Sequence, residues 1–135
     1  MDASKLKAAA TSAIHVKNAA GEPLYDGEAP VRIIVHGPGS RAYGEIDTRQ
    51  TARALKRMND NDGKMTAATA EERRQEAAED LAAVTISFEH LTYGDLTGTE
   101  LFEAVYGDPQ LGFIVKQVSK HLADWGNFKP ASLEA

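Results

Sequence analysis

The rhythm of apolar positions changes near residue 40. Before it, apolar residues fall in short extended patterns. Ile14-His15-Val16 alternates apolar and polar, and Val31-Arg32-Ile33-Ile34-Val35 is β-branched and bounded by Pro30 and Gly37. Both predict strands. Residues 18–30 between them are rich in Gly, Pro, Asn and Asp, the residues of turns. The two strands are therefore expected to pair as a hairpin across a long loop, with Leu24 and Tyr25 as a short third extended piece. His36-Gly37-Pro38-Gly39-Ser40 then breaks the pattern, because Pro38 fixes φ and its flanking glycines permit unusual turns.

After this break the spacing turns helical. Ser40 is placed to cap a helix running from Arg41 to about Met58. Its apolar anchors are few (Tyr43, Ile46, Leu55, Met58), and the rest of it is polar: Arg41, Glu45, Asp47, Arg49, Arg53, Lys56, Arg57. Asn59 to Lys64 predicts a helix stop and linker. Thr69-Ala70-Glu71-Glu72 matches a capping box, in which hydroxyl and carboxylate each satisfy a free backbone N–H. Ala77, Leu81, Val84, Phe88 and Leu91 follow at helical spacing, so the stripe predicts one helix reaching Leu91. Its opposite face holds Arg73, Arg74, Glu76, Glu79 and Asp80, and the mixed-sign run Glu71 to Glu76 is expected to be a solvated face, with a charged docking surface for a partner protein as the alternative.

Thr97-Gly98-Thr99-Glu100 reads as a second capping box, opening a short helix with Leu101, Phe102, Val105 and Tyr106 inward. Asp108-Pro109 opens a last helix with Leu111, Ile114, Val115, Val118, Leu122 and Trp125 on its apolar face, ended by Gly126-Asn127. Phe102 and Trp125 are assigned to the core. Phe128, beyond the stop, is the candidate exposed anchor. The fold class expected is α+β: an N-terminal β-hairpin or small sheet followed by a bundle of about four helices. One domain accommodates it, with an arm and strands over 1–39, a helical part over 40–128 and a tail over 129–135.

Composition narrows the chemistry. The 135 residues include no cysteine, which excludes disulfides, thiolate metal sites and a cysteine nucleophile. A net charge of −5 argues against binding nucleic acid, which calls for a basic face. Met1 to Ala13 carries Lys5 and Lys7 but no apolar core like that of a secretory signal. No apolar run approaches the ~20 residues that span a bilayer. A cytoplasmic protein without membrane contact is expected.

Candidate catalytic motifs fail on spacing. The glycine-rich segment 36–40 has no accompanying Gly-x-Ser-x-Gly elbow. Nor does it contain the Gly-Lys pair of a phosphate loop. His15, His36, His90 and His121 are scattered and match no metal-binding spacing. Asp60-Asn61-Asp62-Gly63 places its glycine too early for a calcium loop. No catalytic, cofactor-binding or metal-ligating residue is therefore named, no cofactor is expected, and binding other proteins is the remaining class.

Several segments in order resemble one family. Gly21-Glu22-Pro23-Leu24 precedes the strand Pro30 to Val35, which runs into His36-Gly37-Pro38-Gly39-Ser40-Arg41-Ala42-Tyr43. Later come Phe88-Glu89-His90-Leu91, Leu101 to Pro109, Leu111-Gly112-Phe113-Ile114, and Asp124-Trp125-Gly126-Asn127-Phe128. Across residues 5–128 this order resembles small tail assembly chaperones of tailed bacteriophages. The resemblance implies a non-catalytic protein of the host cytoplasm that binds the tape-measure protein, keeps it soluble and helps recruit tail-tube subunits. A structural virion component, a head–tail connector or tail subunit, is the alternative it leaves.

A tape-measure helix needs an apolar groove to cover it. The stripes Leu81, Val84, Phe88 and Ile114, Val118, Leu122, with Phe128, are the candidate partner-binding residues, in one chain or after homo-oligomerisation. The other reading of the same stripes is an internal core.

Overall fold

The computed structural model describes residues 1–130, so residues 131–135 of the expected tail lie outside the described residues. The element order begins with a short 3-10 turn, Ala3–Leu6, and strand β1, Thr11–His15. Two-residue strands β2, Tyr25–Asp26, and β3, Ala29–Pro30, pair within the long loop, and β4 covers Arg32–His36. Helices α1, Arg41–Asp60, and α2, Ala70–Val84, lead into β5, Thr85–Glu89. Helices α3, Gly98–Gly107, and α4, Gly112–Ala123, complete the chain, with 3-10 turns at Pro109–Leu111 and Trp125–Asn127. The expected α+β class is the one found, with two sheet strands before the four helices and the third, β5, between α2 and α3.

The sheet is antiparallel, ordered β1-β4-β5. Ile14 lies opposite Ile33, and Ile33 and Val35 are fully buried, as strand alternation directs. Arg32 faces Glu89 across the other pair, 2.6 Å apart. The register shifts between Ile34 and Val35, so that Ser87 opposes Ile34 and Thr85 opposes Val35, leaving Ile86 as the extra residue of a bulge. The bulge exposes Ile86 and turns Thr85 inward. There the Thr85 hydroxyl donates to the Leu81 carbonyl at 2.7 Å and shares a second 2.7 Å bond with the Tyr106 hydroxyl. Burial of Tyr106 pushes its phenol well above the ordinary tyrosine range, so it stays neutral.

This overturns the helix expected to continue to Leu91. Val84, Thr85 and Ile86 are consecutive β-branched residues, which lose side-chain freedom in a helix and favour a strand. Helix α2 passes into β5 with no intervening loop. Phe88 still reaches the buried side, because it opposes Ile33. Its ring sits 4.7 Å from that of Phe102 and 5.8 Å from that of Tyr106.

Caps explain most helix ends. Ser40 Oγ accepts from the Tyr43 amide at 3.1 Å and donates to the Gly37 carbonyl at 2.6 Å, locking the turn to α1. Thr69 and Glu72 form the expected capping box. Gly63, at φ 78°, donates to the Met58 carbonyl and closes the far end of α1. Asp108 caps the 3-10 turn that Pro109 opens. Thr97, in contrast, makes no capping bond. Gly98 takes φ 59° at the first position, which swings the chain away from capping-box geometry.

The core joins the sheet to α2, α3 and α4. Phe128 closes it, only 1% exposed, and Trp125 lies outside it at 58%. The expectation for these two aromatics is thus reversed. Helix α4 ends at Ala123, two residues before Trp125, so Trp125 leaves the apolar face and its ring lies over Gly39.

His121 links α4 to β1, sharing a 2.8 Å hydrogen bond between Nε2 and Ser12 Oγ. Burial lowers its pKa below the ordinary 6.5, against the opposing charge of Asp124. The unfolded chain therefore takes up this proton first, and stability falls as pH drops below 6.5 through the depressed folded value. Melting curves between about pH 7.5 and about pH 5 should show a steeper loss in wild type than in His121→Gln. Equal slopes would mean that His121 titrates alike in both states.

Candidate partner-binding surface

Six of the seven candidate partner-binding residues are core. Leu81, Val84, Ile114, Val118, Leu122 and Phe128 are buried, and Phe88 is partly buried against the same cluster. They do not form an open groove, because α2, α4 and the sheet bury these stripes against one another. Leu81 and Leu122 come together where α1 crosses. They share a cavity of about 210 Å³ with Tyr43 and Ile46 of α1 and Ala77 of α2.

Helix α1 is the unusual element here. It has 20 residues and buries none of them. At 1.5 Å per residue it is about 30 Å long. Only its first turns touch the core, through the partly buried Ala42, Tyr43 and Ile46. The rest is held by charge. Arg49, Arg53 and Arg57 repeat every fourth residue, which puts them on one face. Asp80, Glu76 and Glu72 repeat every fourth residue on α2 in the opposite direction.

The two rows interlock. Arg53 Nη1 donates to Asp80 Oδ1 and Nη2 to Glu79 Oε2, both at 2.9 Å. Arg49 Nε reaches the same Asp80 oxygen at 3.4 Å, and Gln50 donates to the other at 3.3 Å. Arg57 Nη2 donates to both oxygens of Glu76, at 2.5 and 3.0 Å, and its Nε lies 3.8 Å from Glu72. Burial works against the Arg53 charge, but the bonds and charges of Asp80 and Glu79 outweigh it and raise its pKa. Side-chain exposures of 19% for Arg53 and 10% for Asp80 place this pair at the centre of the ladder.

The seam is not tightly filled. Arg49 Nη2 is buried without a hydrogen-bond partner. A cavity of about 510 Å³ opens between the C-terminal half of α1 and the start of α2, lined by Lys56, Arg57, Asp60, Glu72 and Glu76 among others. The exposed outer pair, Arg57 with Glu72, contributes roughly 0–1 kcal/mol and weakens with salt, while the partly buried Arg53–Asp80 pair is screened less.

Sequence reasoning missed this ladder. Arg49, Arg53 and Arg57 read as part of one polar helix face, and Glu76, Glu79 and Asp80 as part of another, with no pairing between them. The signal was the matched four-residue spacing of opposite charges on consecutive helices. Ser40, in the segment considered for an oxyanion role, is engaged as a helix cap. Among the described residues no three His, Asp or Glu side chains gather to hold a metal ion, and no helix is long and apolar enough to cross a membrane. Comparison with family models, with curated proteins and with solved structures returns no match.

Proposed function

We propose that the protein is a non-catalytic tail assembly chaperone of a tailed bacteriophage, acting in the host cytoplasm on the tape-measure protein and helping to recruit tail-tube subunits. Its motif order supports this reading, from the strand that enters the Gly37-Pro38-Gly39-Ser40 turn to Phe128. The structural observation that carries it is α1: a long polar helix with no buried residue, held by charges over the Leu81 and Leu122 flank. A helix so held marks a surface suited to receiving another helix, the mode in which an amphipathic client docks. The mixed charge around the surface favours solubility.

The second reading, a structural virion component, draws on β5. It is one of the two outer strands of the sheet and exposes Ile86, which suits strand addition from a neighbour. Purification decides between the two. The chaperone co-purifies with co-expressed tape-measure protein and is missing from mature particles. Fixed stoichiometry in purified virions would overturn the chaperone and favour the second reading.

A further inference from the structure

We infer that α1 is a displaceable lid, and that the face beneath it takes a basic amphipathic helix carrying Arg or Lys at every fourth position. The inference rests on the chaperone reading only for the client's identity; the surface chemistry stands by itself. Three observations on the same seam support it.

The first is complementarity. Glu72, Glu76 and Asp80 present carboxylates at one-turn intervals, and α1 already answers them with Arg49, Arg53 and Arg57. The occupant seen in the fold therefore specifies the chemistry of its competitor. A helix with neutral or acidic side chains at those positions leaves the carboxylates unpaired, which disfavours it.

The second is what holds α1. No residue of it is buried, Arg49 Nη2 is unsatisfied, and its far half is tied to α2 only by the Arg57 bonds beside an open cavity of about 510 Å³. Lifting it gives up partial burial of Ala42, Tyr43 and Ile46 and the ion pairs of Arg49, Arg53 and Arg57, which a basic competitor restores. A competitor that also places larger apolar residues over Ala77, Leu81 and Leu122 fills the cavity of about 210 Å³ that α1 leaves.

The third is its tethers. Gly37-Pro38-Gly39 precedes α1, and residues 61–69 follow it, with Asp62 and Gly63 both at positive φ. The N-terminal turn is pinned by Ser40 and Gly37, and no helix or strand follows the other end before Ala70, so α1 can swing about its first turn while the α2, α3, α4 and sheet core stays closed.

The test uses the full chain. Because it has no cysteine, Gln50→Cys with Ala77→Cys creates two unique thiols lining one cavity, and a reducible bis-thiol crosslinker ties α1 to α2. The probe is a labelled synthetic peptide of 20 residues, the length of α1, with leucines on one face and arginines at three positions four apart. Its control replaces those arginines by glutamine.

Anisotropy at low salt should show the arginine peptide binding at least about tenfold more tightly than the control. Crosslinking should weaken it by at least about tenfold, and reduction should restore it. Circular dichroism of the crosslinked chain confirms that it is folded. Absence of binding, equal binding of both peptides, or binding indifferent to the crosslink overturns the lid. So does a dimer that exchanges α1 between copies in place of binding peptide. Tape-measure protein retained by the crosslinked chain overturns the lid and leaves the chaperone standing. Peptide binding as expected, without tape-measure capture, supports the lid and removes the chaperone.

Discussion

Phe128→Ala lowers the unfolding free energy by about 3–5 kcal/mol, the usual cost of removing a buried phenylalanine. The ring is 1% exposed. It lies against Gly37, where a Cβ would come within 3.0 Å of its Cδ2, and it meets the His121 imidazole edge-on with centroids 5.4 Å apart. Its carbonyl accepts from the Ala9 amide at 2.9 Å. The ring thus joins the turn into α1 to the end of α4, while the backbone of the same residue holds the N-terminal arm. With total stability commonly about 5–15 kcal/mol, the loss is a large share of the whole. Trp125→Ala, three residues away and 58% exposed, should change stability by less than about 0.5 kcal/mol. Urea titrations of the two variants give the contrast directly. A wild-type midpoint for Phe128→Ala would return the residue to the surface role its sequence position suggested.

Asp80→Ala loosens α1 before it loosens anything else. The carboxylate binds Arg49, Gln50 and Arg53 together, and its loss leaves Arg49 without its carboxylate and Arg53 with Glu79 alone in a partly desolvated seam. Removing one partner of a fully buried pair costs about 3–5 kcal/mol; partial exposure reduces this to about 1–3 kcal/mol. The cost falls on the contact between α1 and α2, since α1 supplies no fully buried residue. Hydrogen exchange should therefore quicken across Arg41–Asp60, with Ile33 and Val35 in the sheet unchanged. Raising salt in wild type should move exchange in the same direction. Wild-type protection of α1 in Asp80→Ala would show that Tyr43, Ile46 and the remaining Arg53 and Arg57 pairs suffice to hold the helix.

Local signals were legible in the sequence where the partners lie within a few residues. Ser40 with Tyr43 and Thr69 with Glu72 each act across one turn, and both caps form, whereas Asp108 caps a 3-10 turn and the last helix, expected to open at Pro109, begins at Gly112. The strand pair Ile14 and Ile33 was legible because alternation is a property of the strand itself. Phe88 was misplaced in a helix because a four-residue step keeps a stripe, and the competing β-branched run at Val84 to Ile86 decided the backbone. Trp125 and Phe128 were exchanged because a helix stop marks where a helix ends but not where the chain goes next. Here it turns back toward Ala9 and Gly37. The charge ladder was hidden for a related reason. Each row is visible on its own helix, but their meeting depends on how the chain folds back between residues 60 and 70. The stripes offered as a groove carry no label distinguishing internal packing from a client surface, and the sheet decides in favour of packing.

The hydrogen bond from the Ala9 amide to the Phe128 carbonyl has a kinetic side. It joins positions near the two ends of the described chain, so forming it closes nearly the longest loop available, with a correspondingly large loss of chain entropy. Contacts of that kind form late, after the local helices and the β1–β4 hairpin have ordered. Energy gained after the transition state slows unfolding and leaves the folding rate almost untouched. The arm and Phe128 therefore act as a clasp on lifetime: they set how long each molecule stays folded once made, and the speed of its making is governed elsewhere.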